Sequence, residues 1–410
     1  MAELRTVRIG DLGRVVTGKT PPSSQPELFG ELHPFLTPTD IDGFARYIEP
    51  ARFLSPEGRD YQHRLMLPER AVCVVCIGAT IGKVCMTGRP SFTNQQINSV
   101  VVNEDEHDPF FVYHLMTTLR DELKSNAGGA ATPIINKTAF SEIEVSVPPL
   151  PVQRRMAGIL SAYDELMENS QRRIRLLEAM ARALYREWFV HFRFPGHEKH
   201  PRVASPLGDI PKGWEVKTVE EIVKRIPVGK KYDQKTVNPT GAVPVFDQGK
   251  TGIIGYHDDE PGVAASESSP VVVFANHTCY QRLIHFPFSA IQNILPFVPS
   301  PSIPRNIYWL HWATNGLVVF NDYKGHWPEL AANTLVVPSA DLCQRFGDFT
   351  APLSRRILKL ERAIENLRRT RDLVLPRLLS GQVALASASA NGATSNQPGA
   401  TPQVTHRKTK

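Results

Sequence analysis

The sequence has no long apolar run. No stretch of its 410 residues approaches the ~18 apolar residues that a membrane span requires. Met1 is not followed by a basic-then-apolar leader. The expectation is a soluble, cytoplasmic protein with no membrane partner. Cysteine is scarce too: five residues, an odd number, argue against a disulfide framework and suit a reducing compartment. Cys73 and Cys76 form a C-x-x-C with Cys85 nearby, but no second pair follows at zinc-site spacing. Both lie in the apolar run AVCVVCI and read as core.

A complete phosphate-binding loop is also missing. In CIGATIGKV, residues 76–84, only Ala79, Thr80 and Ile81 separate Gly78 from Gly82, and Val84 stands where a metal-binding Ser or Thr should follow Lys83. A working loop needs four residues between its glycines and that hydroxyl, so the segment reads as a turn within a sheet. DPFF at 108–111 lacks the second proline of the loop by which amino-methyltransferases hold a target base. Asp108 reads instead as a helix N-cap, with Pro109 as the first helical residue. Glu215-Val216-Lys217 is half of a nuclease signature without a well-placed upstream Asp. No Ser-His-Asp set can be assigned from spacing. His277 in ANHTCY and His326 in YKGHWPEL read as structural histidines by default, although Lys324 beside His326 keeps a DNA-facing loop open. Catalytic, cofactor-binding and metal-binding residues are therefore assigned to none.

Net charge is +6, unevenly placed. Residues 1–150 carry 14 basic and 18 acidic side chains, whereas residues 351–380 carry 8 and 3. The excess lies on a predicted helix and at the C-terminus, which permits a nucleic-acid partner without demonstrating one. A solvated helix face explains it as well.

Two segments read as long helices. Tyr163, Met167, Ser170, Ile174, Leu177, Ala181, Leu184 and Trp188 alternate at spacings of four and three, a coiled-coil seam interrupted by one Ser. Leu360, Ile364, Leu367, Arg371, Val374 and Leu378 continue the same rule, with Phe349, Leu353 and Ile357 leading in. An offset of 190 residues superposes Ile174 on Ile364 and Leu177 on Leu367. The same offset superposes the exits VPPLPVQRR (147–155) and VPSADLCQR (337–345). One unit is thus written twice: a mixed domain of short strands and turns, a Val-Pro exit and a long helix. Such a repeat predicts an α+β fold with pseudo-two-fold architecture, in which the helices can pack antiparallel. The boundaries are 1–150 for the first domain, 151–193 for the first helix, 194–213 for a linker, 214–338 for the second domain and 339–383 for the second helix. Residues 384–410, rich in Ala, Ser, Asn and Thr, are expected to be disordered.

These features resemble the DNA specificity subunit of type I restriction-modification enzymes. The resemblance is carried by PIINKTAFSEIEVSVPPLPVQRRMAGIL (133–160), REWFVHFRFPGHE (186–198), PLGDIPKGWEV (206–216), VPVFDQGKTGIIGYHDD (243–259) and RTRDLVLPRLLSGQV (369–383). It implies two sheet-rich target-recognition domains joined by two long antiparallel coiled-coil helices. It further implies a non-catalytic chain that reads one half of a split, asymmetric double-stranded DNA site with each domain. Two modification subunits, carrying S-adenosylmethionine, would dock on the helical regions, and restriction subunits with ATP-driven translocation would join them. No cofactor is then expected in this chain. GATIGKV followed by FTNQQINSV looks like a strand-turn-strand of the first recognition domain, whose glycines serve backbone geometry. Where the family often carries Gly-Asp-His-Thr-Arg, this sequence has Ala275-Asn276-His277-Thr278-Cys279.

Reading base edges calls for Arg, Lys, Asn and Gln on loops, with further basic groups on phosphates. By residue type and loop placement, the first domain offers Lys19, Lys83, Asn94, Gln95 and Gln96. The second offers Lys230, Lys231, Lys250, His277 and Lys324. Asn94 and Gln95 could instead pin a turn. The competing readings are a self-contained methyltransferase or nuclease, which would need the missing cofactor loop or metal carboxylates, and a structural coiled-coil adaptor, which would not need two dissimilar sheet-rich domains.

Overall fold

The computed structural model describes residues 4–41, 45–127, 133–249 and 252–379. Lys250, the end of the second predicted helix and the tail 384–410 lie outside them. The chain forms two units, one of Met1–Asp164 with Arg369–Lys410 and one of Glu165–Arg368, so both long helices contribute to both.

In the first unit, Arg5–Arg8 pairs antiparallel with Glu144–Val147, the strand of the first Val-Pro exit. A four-stranded antiparallel sheet follows, ordered Gly13–Thr17, Ile97–Val102, Val72–Val75, Val84–Met86. Val72–Val75 is buried along its whole length because the sheet is covered on both faces. Val72 and Val74 belong to a core with Phe111 and Met116, while Cys73 and Val75 belong to another with Leu36, Ile41 and Ile97. A strand covered on both sides has no polar alternation, which is why AVCVVCI is an unbroken apolar run and why Cys73, Cys76 and Cys85 are buried free thiols. A second small sheet joins Phe29–Gly30, Phe53–Leu54, His33–Leu36 and Phe92–Thr93, the last two in parallel. Asp108 caps the helix Pro109–Thr118, accepting from the Phe110 and Phe111 amides.

The second unit repeats this plan. Glu215–Thr218, which holds the Glu-Val-Lys triplet, pairs antiparallel with Thr334–Val337, the strand of the second exit. The four-stranded sheet runs Val223–Arg225, Ile294–Pro299, Val271–Ala275, Gln281–Ile284, all antiparallel. A second sheet again contains parallel pairing, here of both Lys231–Tyr232 and Val243–Phe246 with Ser289–Ile291. Even the short turn after the first strand recurs: in Ile9–Leu12 the Asp11 carboxylate accepts from the Arg8 amide (2.9 Å), and in Val219–Ile222 the Glu221 carboxylate accepts from the Thr218 amide (2.7 Å).

The long helices are Leu150–Tyr185 and Ala340–Leu379. Each starts two residues after its exit strand, once the exit Pro has prevented earlier helix formation. The first ends in a π-helical turn, Arg186–Val190. Its predicted seam faces inward: Met167, Ile174, Ala181 and Trp188 are buried, and the positions between them are half-buried. In the second unit Glu178 lies within electrostatic reach of Glu361, and Trp188 meets Phe346 and Phe349 edge-on. The helices there run antiparallel. Phe349, expected to lead into the second seam, is mostly exposed. Phe346 fills the core instead, because near its start this helix packs on Trp188, Phe189 and Trp309 rather than on the seam alone.

Candidate nucleic-acid interface

Each unit carries a cluster of three loops at one end of its four-stranded sheet, held by the same backbone hydrogen bonds. In the first, the Cys76 amide donates to the Gln96 carbonyl (2.8 Å) and the Ile135 amide to the Cys76 carbonyl (2.9 Å). In the second, the Asn276 amide donates to the Asn293 carbonyl (2.9 Å) and the His326 amide to the Asn276 carbonyl (2.8 Å). The hairpins close alike as well: Val75 to Lys83 and Gly82 to Val75 in one, Ala275 to Tyr280 and Cys279 to Ala275 in the other. Gly82 and Cys279 therefore occupy one structural position, and both are left-handed, with φ of 82° and 58°. The glycines of CIGATIGKV serve this hairpin: Gly78 and Gly82 have positive φ, and a Cβ on Gly82 would lie 2.9 Å from the Arg120 Cα.

The first cluster gathers several predicted residues. Asn94 accepts from the Gln96 amide (3.1 Å) and donates to the Gln96 side chain (2.9 Å). Gln95 accepts from the Thr20 hydroxyl (2.7 Å), and the Lys19 amide donates to the Thr93 carbonyl (3.0 Å). Asn94 thus pins its turn, the structural role allowed for it. Lys19, Gln95 and Gln96 stay at the loop surface, with the Lys19 ammonium 5.6 Å from the Tyr61 ring centre. Lys83 differs, since its ammonium donates to the Ile41 carbonyl (2.6 Å).

In the second cluster the side chains do more of the fastening. Gln248 accepts from the His277 amide (2.7 Å), and its carbonyl accepts from the Thr278 hydroxyl (2.6 Å). Asn276 accepts from the Trp327 amide (2.7 Å). His277 Nδ1 lies 2.9 Å from the Lys324 carbonyl; a carbonyl can only accept, so Nδ1 carries the proton. The His277 ring stacks on Tyr323, with centroids 5.0 Å apart and planes 7° from parallel. His326 is fully buried beneath this loop, Nε2 to the Asp322 carbonyl (3.1 Å) and Nδ1 to Glu329 (3.2 Å), a structural histidine. Lys324 pairs loosely with Glu329 at 3.8 Å.

Lys231 begins another strand, Lys231–Tyr232, with Lys230 just before it, and neither shares these bonds. Asp259 accepts from Lys230 (2.8 Å) and from the Tyr232 hydroxyl (3.0 Å). This contact raises the Lys230 ammonium pKa and holds the Asp259 carboxyl below its ordinary range. Beside it, Ser289 Oγ lies 2.9 Å from His257 Nε2, superficially part of a hydrolase triad. The polarity is wrong. His257 Nδ1 accepts from the Asp259 amide (3.0 Å), so Nε2 bears the proton and donates to Ser289, which also accepts from the Gly262 amide (2.9 Å). A general base must accept the serine proton, and this one cannot. Among the described residues no group of three His, Cys, Asp or Glu side chains could hold a metal ion, and no helix is long and apolar enough to cross a membrane.

Sequence reasoning missed Tyr323, Gln248 and Asn276. Tyr323 lies in a turn without periodicity, and the other two act through loops distant in sequence.

Residues 1–179 match the family model described as the type I restriction modification DNA specificity domain. The chain is 24% identical over 408 residues to the MjaIX type I restriction enzyme specificity subunit of Methanocaldococcus jannaschii, covering 92% of each. It is 34% identical over 178 residues to the HindI specificity subunit of Haemophilus influenzae, covering 42% of this chain and 38% of that one. Among solved structures, the S subunit of a type I restriction-modification system from M. genitalium aligns with a TM-score of 0.52 at 15% identity, over 92% of this chain and 96% of the other; this likeness concerns the fold. The near full-length relative and the matched domain point the same way: residues 1–179 carry a type I restriction modification DNA specificity domain, and 92% of the chain is similar to a type I restriction enzyme specificity subunit.

Proposed function

We propose that this chain is the non-catalytic reader of a bipartite, asymmetric double-stranded DNA site, with residues 1–150 reading one half and residues 214–338 the other. The observation that carries the reading is the loop cluster built twice on one backbone plan with different side chains. Ile77, Gly78, Ala79, Thr80 and Ile81 fill the first hairpin loop where His277 and Thr278 fill the second. A shared scaffold with unlike tips suits two unlike half-sites, since base edges are read by side chains and the backbone only places them.

The helical regions are the proposed docking place of two modification subunits, which restriction and translocase subunits join. Supporting this, Leu166 and Met180 are exposed fourteen residues apart along the first long helix, with Leu176 on the same side. They form an apolar stripe outside the seam. S-adenosylmethionine, ATP and Mg²⁺ belong in this proposal to the partners, and the assembly works in the cytoplasm.

The test is to map methylated adenines in DNA from cells making the modification subunits with and without this chain. A split motif that depends on the chain is expected. Purified alone, the chain should neither methylate DNA with S-adenosylmethionine nor cut it with Mg²⁺ and ATP; turnover by the chain itself would overturn the reading.

A further inference from the structure

We propose that Tyr323, stacked on His277, is the side chain by which the second domain discriminates a base of its half-site, a proposal that rests on the DNA-reading function above. Tyr323 is 81% exposed, more than any other large hydrophobic side chain among the described residues. Such exposure would ordinarily mark a mobile side chain, but everything beneath this ring is fixed. The Tyr323 amide donates to Asp322 Oδ1 (2.7 Å), the Lys324 amide to the Asp322 carbonyl (3.0 Å), and fully buried His326 holds that same carbonyl from below. His277, on which the ring stacks, is itself tied to Gln248 and to the Lys324 carbonyl. The turn is held close to its neighbour, since a Cβ on Gly325 would lie 2.8 Å from the Asn276 side chain.

A rigidly supported, uncovered aromatic side chain loses little entropy on binding. Here it sits in the loop cluster whose backbone is shared with the first unit but whose side chains are not. The bonds around Ile135 and His326 are equivalent, and in the first unit the stretch just before Ile135 carries Pro133 and Ile134. In sequence, Tyr323 stands three residues before His326, whereas Thr132 stands three before Ile135, so the two segments differ there by a large planar group. The ligand is a base-pair edge of duplex DNA. The ring offers apolar contact of the kind that recognises a thymine methyl, and the Nε2 atom of His277, with Nδ1 protonated, is left as an acceptor for an exocyclic amine.

The test uses the whole complex, in cells making this chain with its modification subunits. Tyr323→Ala and Tyr323→Phe are compared with Val319→Ala, a substitution at a residue of the same loop that is 73% exposed. Tyr323→Ala should leave the first half of the methylated motif intact and relax one position of the second half, and the purified complex should bind its site about tenfold more weakly. Tyr323→Phe and Val319→Ala should keep the parent motif. An unchanged motif and affinity in Tyr323→Ala, or a loss spread equally over all DNA sequences, would overturn the proposal while leaving the functional reading in place. So would a loss of both halves at an unchanged thermal midpoint; should the midpoint fall, Tyr323→Leu, which keeps the bulk without the ring, must reproduce the one-position relaxation or the proposal fails. A parent complex with no split motif would instead overturn the functional reading itself.

Discussion

The guanidinium of Arg371, on the second long helix, lies 2.7 Å from the carboxylate of Asp164, on the first. His114, from the domain helix Pro109–Thr118, approaches the other carboxylate oxygen to 3.3 Å. Asp164 is only 3% exposed. One buried carboxylate thus ties the helix Pro109–Thr118 of the first unit to both long helices. Removing one partner of a buried ion pair leaves an uncompensated charge, so Asp164→Ala should destabilise the first unit by about 3–5 kcal/mol. Replacing both partners with apolar groups, Asp164→Leu with Arg371→Met, should recover much of that loss. Urea denaturation of the three proteins measures it.

The same site predicts a pH dependence. Burial works against ionisation of Asp164, but the neighbouring His114 and the Arg371 guanidinium outweigh it and hold the carboxyl below its ordinary value. A carboxyl lowered in the folded state stabilises the fold fully above the ordinary carboxylate range, and that contribution is lost as pH falls through the folded value. Thermal midpoints of the parent should therefore drop in acid more steeply than those of Asp164→Asn. Parallel curves would show that Asp164 carries no such linkage.

Gly82 and Cys279 give a second comparison. A Cβ on Gly82 would lie 2.7 Å from the Arg120 Cγ and 2.9 Å from its Cα, at a φ of 82°. Gly82→Ala should cost roughly 1–3 kcal/mol. Cys279 already holds a side chain in the same conformation, so Cys279→Gly should stay within about 1 kcal/mol of the parent, relief of strain offsetting the added freedom of the unfolded chain. Equal effects at the two positions would contradict their structural equivalence.

How far the sequence revealed these features depends on what kind of interaction carries them. The seam was legible because Met167, Ile174, Ala181 and Trp188 repeat at a period fixed by helix geometry. The Gly78–Lys83 loop was legible as a turn because phosphate binding demands a spacing and a hydroxyl that it lacks. The inward placing of Phe346 rather than Phe349 was not, since it is set by a core assembled from Trp188, Phe189 and Trp309. Lys83 and Lys230 read as free cations by type. Their partners, the Ile41 carbonyl and Asp259, lie 42 and 29 residues away. Tyr323 carries no local signal at all; its fixed position comes from His277 and His326 through contacts that only the fold makes.

The helices carry a prediction about spacing. Four residues inserted after Leu177 and four after Leu358, at similar levels of the antiparallel pair, would add about 6 Å to each helix and turn its ends by ~40°. With ~3.4 Å per base step, the gap between half-sites should grow by about one or two base pairs, both halves staying the same. An unchanged gap at full activity would show that the helices do not set it.

Independence of the two readers is the central claim, and exchange of one domain tests it most directly. Residues 1–150 are replaced by the corresponding domain of a relative, with Gln153 kept because its side chain accepts from the Asp108 amide (3.0 Å) and donates to the Pro148 carbonyl (2.8 Å). The methylated motif is then sequenced in cells that also make the modification subunits. The account predicts a motif whose first half changes to the relative's while the second half stays as in the parent. A motif altered in both halves would contradict it.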